Sequence, residues 1–252
     1  SRHSRAIANR AGGPVVTQTV LATARELTVK RRGKAVLGPV SFDLGAAGVT
    51  LVVGPNGAGK TTLLKVLHGV ERISRGTLDW AVPDDVSRQT QAYVFQSPIM
   101  LRRSVRQNLA YPLELLRLPK AEIAVRVAEW AQKIGLQDAL EFPAPRLSGG
   151  EKQKLALGRA LIRRPEVLFL DEPCANLDGR STREIEALLI DAKEAGTRII
   201  MTTHDLGQAR RLASDVLFLV GGRLVEQGEA AGFFAAPGTA EAKLFLAGEI
   251  VG

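Results

Sequence analysis

The sequence predicts an α/β fold with a parallel core sheet, an antiparallel β-subdomain and a small α-helical subdomain. Three observations predict it. Short apolar runs of buried-strand length, VTLVV (49–53), VLFLD (167–171), RIIMTT (198–203) and VLFLV (216–220), are interspersed with helical patterns over 151–163, 180–195 and 206–213. That order is the mark of a parallel sheet with helices on both faces. Residues 20–53 read differently, as LATARELTV, a turn at RRGK, VLGPVSFDL and a Gly-rich turn, the texture of short antiparallel strands. Residues 97–147 carry Leu and Val at helical spacing, broken by Pro112, Pro119, Pro143 and Pro145, which predicts a separate helical lobe.

Taken in order, residues 1–19 form a basic arm without apolar periodicity, expected to be flexible, and residues 20–252 form a single domain that includes the lobe at 97–147. Strand character returns in GTLDW (76–80) and AYVFQ (92–96). Gly221-Gly222 is placed to turn a hairpin between VLFLV and RLVEQG, because a two-residue loop needs positive φ at both positions. The last 25 residues read as a loop and short helices.

Composition narrows the function classes. With 252 residues, 45% of them apolar, the chain can bury a sizeable core. Its single cysteine, Cys174, excludes an internal disulfide. No apolar run approaches the roughly 20 residues of a spanning helix. The net charge is +8, and residues 1–34 carry eight basic residues against Glu26 alone. A solvated arm, a nucleic-acid contact and contact with an anionic membrane surface all fit that excess. The arm lacks the interleaved aromatics that favour single-stranded nucleic acid.

The chemistry-bearing motifs begin at Gly54-Pro55-Asn56-Gly57-Ala58-Gly59-Lys60-Thr61. It matches G-x-x-x-x-G-K-[ST] at every position, between a buried strand and a helix, and identifies a P-loop NTPase. The glycines let backbone N–H groups turn inward around a phosphate chain, and the following helix adds its N-terminal dipole. Lys60 is expected to reach the β- and γ-phosphates, Thr61 to ligate Mg²⁺ and Thr62 to donate to the α-phosphate. VLFLD then ends in Asp171 and Glu172. Asp171 sits where such a strand positions a metal ion. Glu172, one residue on, can act as general base toward the attacking water. His204 in IIMTTHD follows another apolar strand at the same end of a parallel sheet, where ligands gather, and is assigned to the γ-phosphate and the water. Gln96 closes a strand ahead of the helical lobe and can reach Mg²⁺ or the water.

GPNGAGKT (54–61), Gln96, LSGGEKQ (147–153), VLFLDEP (167–173), ANLD (175–178) and TTHD (202–205) occur once each and in this order. With them the chain resembles an ATP-binding cassette (ABC) nucleotide-binding domain from about residue 20 onward. LSGGEKQ is the most specific of these strings. The resemblance implies ATP as nucleotide with Mg²⁺, and a head-to-tail homodimer sandwiching two ATP. In that dimer Ser148, Gly149 and Gly150 would contact the γ-phosphate on the partner's P-loop, and Asp178 would face the other subunit. Two glycines that permit close approach, a serine hydroxyl and a helix N-terminus suit such a contact. At the position near Arg31 the family usually places an aromatic that stacks on adenine; here no Tyr, Phe or Trp lies in 22–41. Either Arg31 or Arg32 stacks there instead, or both arginines are solvated.

Within the family, the absence of fused membrane segments and the short interval between Lys60 and Ser148 point to a separate cassette subunit. The resemblance then implies the motor of a transporter, of the importer type, at the cytoplasmic face of the inner membrane. Its partners would be transmembrane pore subunits and, indirectly, an extracytoplasmic substrate-binding protein; nucleic acid is not expected. An export cassette and a soluble ABC ATPase acting on nucleic acid are the alternatives. SPIMLRRSVRQNLAYPLELL is the stretch expected to meet the pore subunit, with Leu101, Val105 and Leu109 as candidates for the contact or for packing within the lobe. VFQSPIMLRRSVRQNLAYPL and FLDEPCANLD are similar to cassettes of oxyanion importers, the tungstate type in particular.

Overall fold

The computed structural model describes residues 20–249, so the basic arm of residues 1–19 lies outside the described residues. Along the chain, β1 (Val20–Arg31), β2 (Lys34–Gly45) and β3 (Val49–Val53) precede α1 (Lys60–His68), β4 (Arg75–Trp80), α2 (Asp84–Thr90) and β5 (Gln91–Val94). Three helices follow, α3 (Val105–Leu115), α4 (Lys120–Lys133) and α5 (Gly149–Leu161). Then come β6 (Val167–Asp171), α6 (Gly179–Glu194), β7 (Arg198–Thr202), α7 (Leu206–Leu212), β8 (Asp215–Val220), β9 (Arg223–Glu229), α8 (Ala230–Ala235) and α9 (Ala240–Leu246). These elements form two compact units. One runs through Gln89 and resumes at Ala213, and the other is Thr90–Leu212.

In the first unit β2, β1 and β4 form an antiparallel three-stranded sheet with β1 in the middle. Ala22 and Ala24 point into the core, and the alternation breaks at Glu26, whose φ is +48°. This bulge shifts the register between Ala24 and Leu27 and leaves Leu27, Thr28 and Val29 all buried. The all-buried β3 pairs in parallel with β8, Leu51 opposite Val216 and Val53 opposite Phe218. β8 turns back on β9 through Gly221 and Gly222, at φ +53° and +78°. Both residues of this hairpin loop are thus in the left-handed region, as the glycine pair predicts. Phe218 packs its ring against Phe233 and Phe245 from the two short C-terminal helices.

In the second unit β5, β6 and β7 are parallel, with Leu170 opposite Met201 and Asp171 opposite Thr202. Every residue of β6 and β7 is buried, including the polar ends Asp171 and Thr202. The helical lobe packs α3, α4 and α5 together around Val105, Leu109, Leu113, Val127 and Ala131. Gly158 on α5 permits close approach, since a Cβ there would lie 3.1 Å from Ile134 and 3.4 Å from Leu109. One expectation is corrected: Pro112 lies inside α3 and does not break it. The proline removes a single helical N–H, and the helix continues to Leu115 before it ends.

Candidate nucleotide and hydrolysis site

In the first unit the loop between β3 and α1 is shaped by its glycines. Gly54, Gly57 and Gly59 have φ of +148°, +79° and +96°. A Cβ at Gly54 would lie 2.0 Å from the Leu219 carbonyl oxygen, so only glycine fits there. Ala58 is buried, Pro55 half-buried, and Asn56 and Gly57 face solvent. The Ala58 N–H closes a turn onto the Pro55 carbonyl at 3.2 Å, and the Gly222 N–H donates to the Ala58 carbonyl at 3.1 Å. Lys60 opens α1 but is only 8% exposed. Its ammonium reaches back along the loop, donating to the carbonyls of Gly54 at 2.8 Å and Pro55 at 3.0 Å. A cation is therefore fixed inside a loop of backbone turns at a helix N-terminus, which is the arrangement for an anionic phosphate chain. Thr61 is exposed beside it and Thr62 is buried.

Arg31 and Arg32 lie at the tip of the β1–β2 hairpin. Arg31 Nη2 is 2.5 Å from Glu71 Oε2, so its guanidinium is tied to a carboxylate rather than simply solvated. Arg32 sits in the turn at φ +49° and is exposed.

In the second unit three sequence-distant residues converge on one oxygen. Gln96 Nε2 and His204 Nδ1 are each 3.2 Å from Glu172 Oε2. A carboxylate only accepts, so Nδ1 carries the proton in that contact. Glu172 leaves the end of β6 at φ +46°, an uncommon conformation for a residue with a side chain. Its neighbour Asp171 is 6% exposed and accepts from the Thr202 hydroxyl at 2.8 Å. Thr202 is a residue the motif reading passed over. Its signal was a hydroxyl at the end of an apolar strand, which becomes meaningful only once the register pairs it with Asp171.

Ser148, Gly149 and Gly150 begin α5, with Ser148 as the capping residue. The Ser148 hydroxyl and N–H both donate to Glu151 Oε2, at 2.7 and 2.8 Å, and the Glu151 N–H returns a bond to the hydroxyl at 3.4 Å. These bonds hold the Glu151 carboxyl below the usual carboxylate range. Gly150 lies against Ser181, whose Oγ would be 2.5 Å from a Cβ there. Ser181 in turn donates to Asp178. Asp178 caps α6, accepting from the N–H groups of Arg180 and Ser181 at 2.8 Å.

In the stretch after Gln96 the structure chooses between the two expectations, contact or packing within the lobe. Val105 and Leu109 are fully buried in the lobe core, and Leu101 is half-buried. The apolar side chains of this stretch that face outward are Ile99, Tyr111, Leu115 and Leu116, with Ile99 72% and Leu115 66% exposed, and Phe95 is exposed just before it. The loop carrying Ile99 and Leu101 is tied to the lobe by Asn108, whose Oδ1 accepts from the Leu101 N–H, and by Arg159, which donates to the Ile99 carbonyl at 2.7 Å.

Among the described residues no group of three or more His, Cys, Asp or Glu is placed to hold a metal by itself. Thr61, Gln96 and Asp171 offer a hydroxyl, an amide and a carboxylate. Each is an oxygen donor of the kind Mg²⁺ takes, an ion that keeps waters and draws the remainder of its shell from substrate phosphates. No helix among the described residues is long and apolar enough to cross a membrane.

A family model described as "ABC transporter" matches residues 37–175. The tungstate uptake system ATP-binding protein TupC of Peptoclostridium acidaminophilum is 40% identical over 205 residues, covering 80% of this chain and 94% of that protein. The phosphate import ATP-binding protein PstB 2 of Natronomonas pharaonis is 33% identical, covering 96% and 92%. Among solved structures, cbiO1 from Clostridium perfringens, described as part of the ABC transporter complex cbiONQ, superposes with a TM-score of 0.77 at 30% identity. It covers 90% of this chain and 95% of that one.

Proposed function

The chain belongs to the ABC transporter family as an ATP-binding, ATP-hydrolysing subunit, and we propose that it is the motor of an importer. In this reading Lys60, Thr62 and the backbone N–H groups of 56–59 hold the triphosphate. Thr61, Gln96 and Asp171 would hold Mg²⁺, which supplies charge neutralisation on the phosphates. Glu172 takes a proton from the attacking water, and His204 orients that carboxylate and meets the γ-phosphate. The observation that carries the reading is the convergence of Gln96 and His204 on Glu172 Oε2, next to the buried Asp171. A base held from two sides and paired with a metal-side carboxylate is a hydrolytic arrangement rather than a binding one.

Ser148, Gly149, Gly150 and Asp178 belong, in this reading, to the nucleotide on a second copy of the chain. An exposed Ser148-Gly149, followed by a half-buried Gly150, at the start of a 13-residue helix supports it. The Ser148 hydroxyl would exchange Glu151 for phosphate on closure. The outward apolar side chains of the stretch, Ile99, Tyr111, Leu115 and Leu116, are the proposed contact with a membrane subunit, and the motor would work at the cytoplasmic face of the membrane. An extracytoplasmic binding protein would deliver cargo to that subunit. Tungstate and phosphate, named for TupC and PstB 2, are both oxyanions, and an oxyanion is the cargo class proposed here.

Glu172→Gln is expected to keep ATP binding, accumulate an ATP-bound dimer on gel filtration and lose roughly 10²–10⁴-fold in turnover. Unchanged hydrolysis would remove Glu172 as base. Stimulation of the wild-type ATPase by DNA or RNA, with none from membranes holding its co-expressed pore subunit, would contradict the transport reading.

A further inference from the structure

We infer that Thr202 is a positioning residue that, with one hydroxyl, holds the Asp171 carboxylate and the Glu172 backbone at the hydrolytic strand end. The inference rests on the reading of Asp171 and Glu172 given above. Thr202 is the last residue of β7, opposite Asp171 in the parallel register, and is fully buried. Its hydroxyl lies 2.8 Å from Asp171 Oδ1 and 2.9 Å from the Glu172 backbone nitrogen. The two contacts admit one proton assignment. The backbone N–H can only donate, so the hydroxyl accepts from Glu172 and sends its own proton to Asp171.

Each bond acts on a different residue. The first aims the Asp171 oxygens, one of which is engaged by the hydroxyl, toward the metal side. The second anchors the peptide at Glu172, where φ is +46°. Backbone in this region persists only when its surroundings hold it there, and the direction of the Glu172 side chain follows from it. That direction brings Oε2 to Gln96 and His204. A single side chain from the neighbouring strand thus sets the metal-side and water-side groups relative to each other. A valine of the same shape would pack equally well against the sheet but would leave the buried Asp171 oxygen and the half-buried Glu172 N–H without this partner.

The test compares Thr202→Val, Thr202→Ala and Thr202→Ser in the full chain, with Glu172→Gln in parallel. Thr202→Val is expected to keep the KM for ATP within about threefold, to lower kcat roughly 10- to 100-fold and to raise the Mg²⁺ concentration for half-maximal ATPase several-fold. Thr202→Ser, which keeps the hydroxyl, is expected to restore all three values to within about threefold of wild type, whereas Thr202→Ala is not. A readout independent of turnover is hydrogen exchange at the Glu172 amide without nucleotide, followed by NMR. It is expected to be slow in the wild type and Thr202→Ser, and fast in Thr202→Val. Val or Ala variants with the kcat and Mg²⁺ dependence of Thr202→Ser would overturn the inference. So would a wild-type Glu172 amide that exchanges at the rate of an open loop, which decides the matter even if Val and Ala fail to fold. Full turnover by Glu172→Gln would overturn the base assignment instead, and the Mg²⁺ dependence and amide exchange would still decide the role of Thr202.

Discussion

At the residue scale, the signature serine shows how one side chain serves both fold and function. Ser148 caps α5 while Glu151 returns the bond, so a hydroxyl assigned to a partner's phosphate also closes its own helix. Ser148→Ala is expected to destabilise the chain by about 1 kcal/mol, measured by urea denaturation at neutral pH. Because the Glu151 carboxyl is held below its ordinary value of 4.5 by the Ser148 hydroxyl and N–H, its contribution is complete above that value and is lost as pH falls through the folded one. The stability gap between wild type and Ser148→Ala should therefore close in acid; a gap that is constant from pH 7 down to pH 3 would contradict the role of Glu151. The sequence made Lys60, Asp171, Glu172, His204 and Ser148 legible because each stands in a contiguous motif. Thr202 also stands in a motif, TTHD, but its role and the Arg31–Glu71 pair were not legible, since each depends on a residue some 30 to 40 positions away.

At the element scale, buried periodicity separates core from surface more sharply than the motif context did. β3, β6, β7 and β8 fall where their apolar runs predict; α3 and α4 lie within 97–147, and the lobe they form also takes in α5, beyond that stretch. Which face of α3 is outward could not be read from SVRQNLAYPLELL alone, because apolar residues occupy both faces. The structure buries Val105, Leu109 and Leu113 and exposes Tyr111 and Leu115. The buried set contacts α4 and α5, and that packing decides it. Leu109→Ala is expected to cost about 2–5 kcal/mol of stability. Ile99→Ala, at an exposed position, is expected to stay within about 0.5 kcal/mol of wild type while weakening co-purification with the membrane subunit. Denaturant midpoints and pull-down of the pore subunit measure the two effects. A destabilised Ile99→Ala, or one that binds the pore subunit normally, would contradict this division of the lobe.

At the scale of the whole molecule, the chain carries a glycine loop around Lys60 and a Ser148-Gly149-Gly150 helix start, both assigned above to phosphate, and the central claim is that these serve different nucleotides. Mixing decides it. Lys60→Ala and Ser148→Arg each disable both sites of their own homodimer. A dimer of one with the other carries both lesions at one site and neither at the second. The measurement is ATPase activity of the two purified variants, alone and mixed in equal amounts. The account predicts two inactive homodimers and a mixture that recovers a clear fraction of wild-type turnover. A mixture as silent as its components, under conditions where heterodimers are shown to form and one intact site supports turnover, would contradict it.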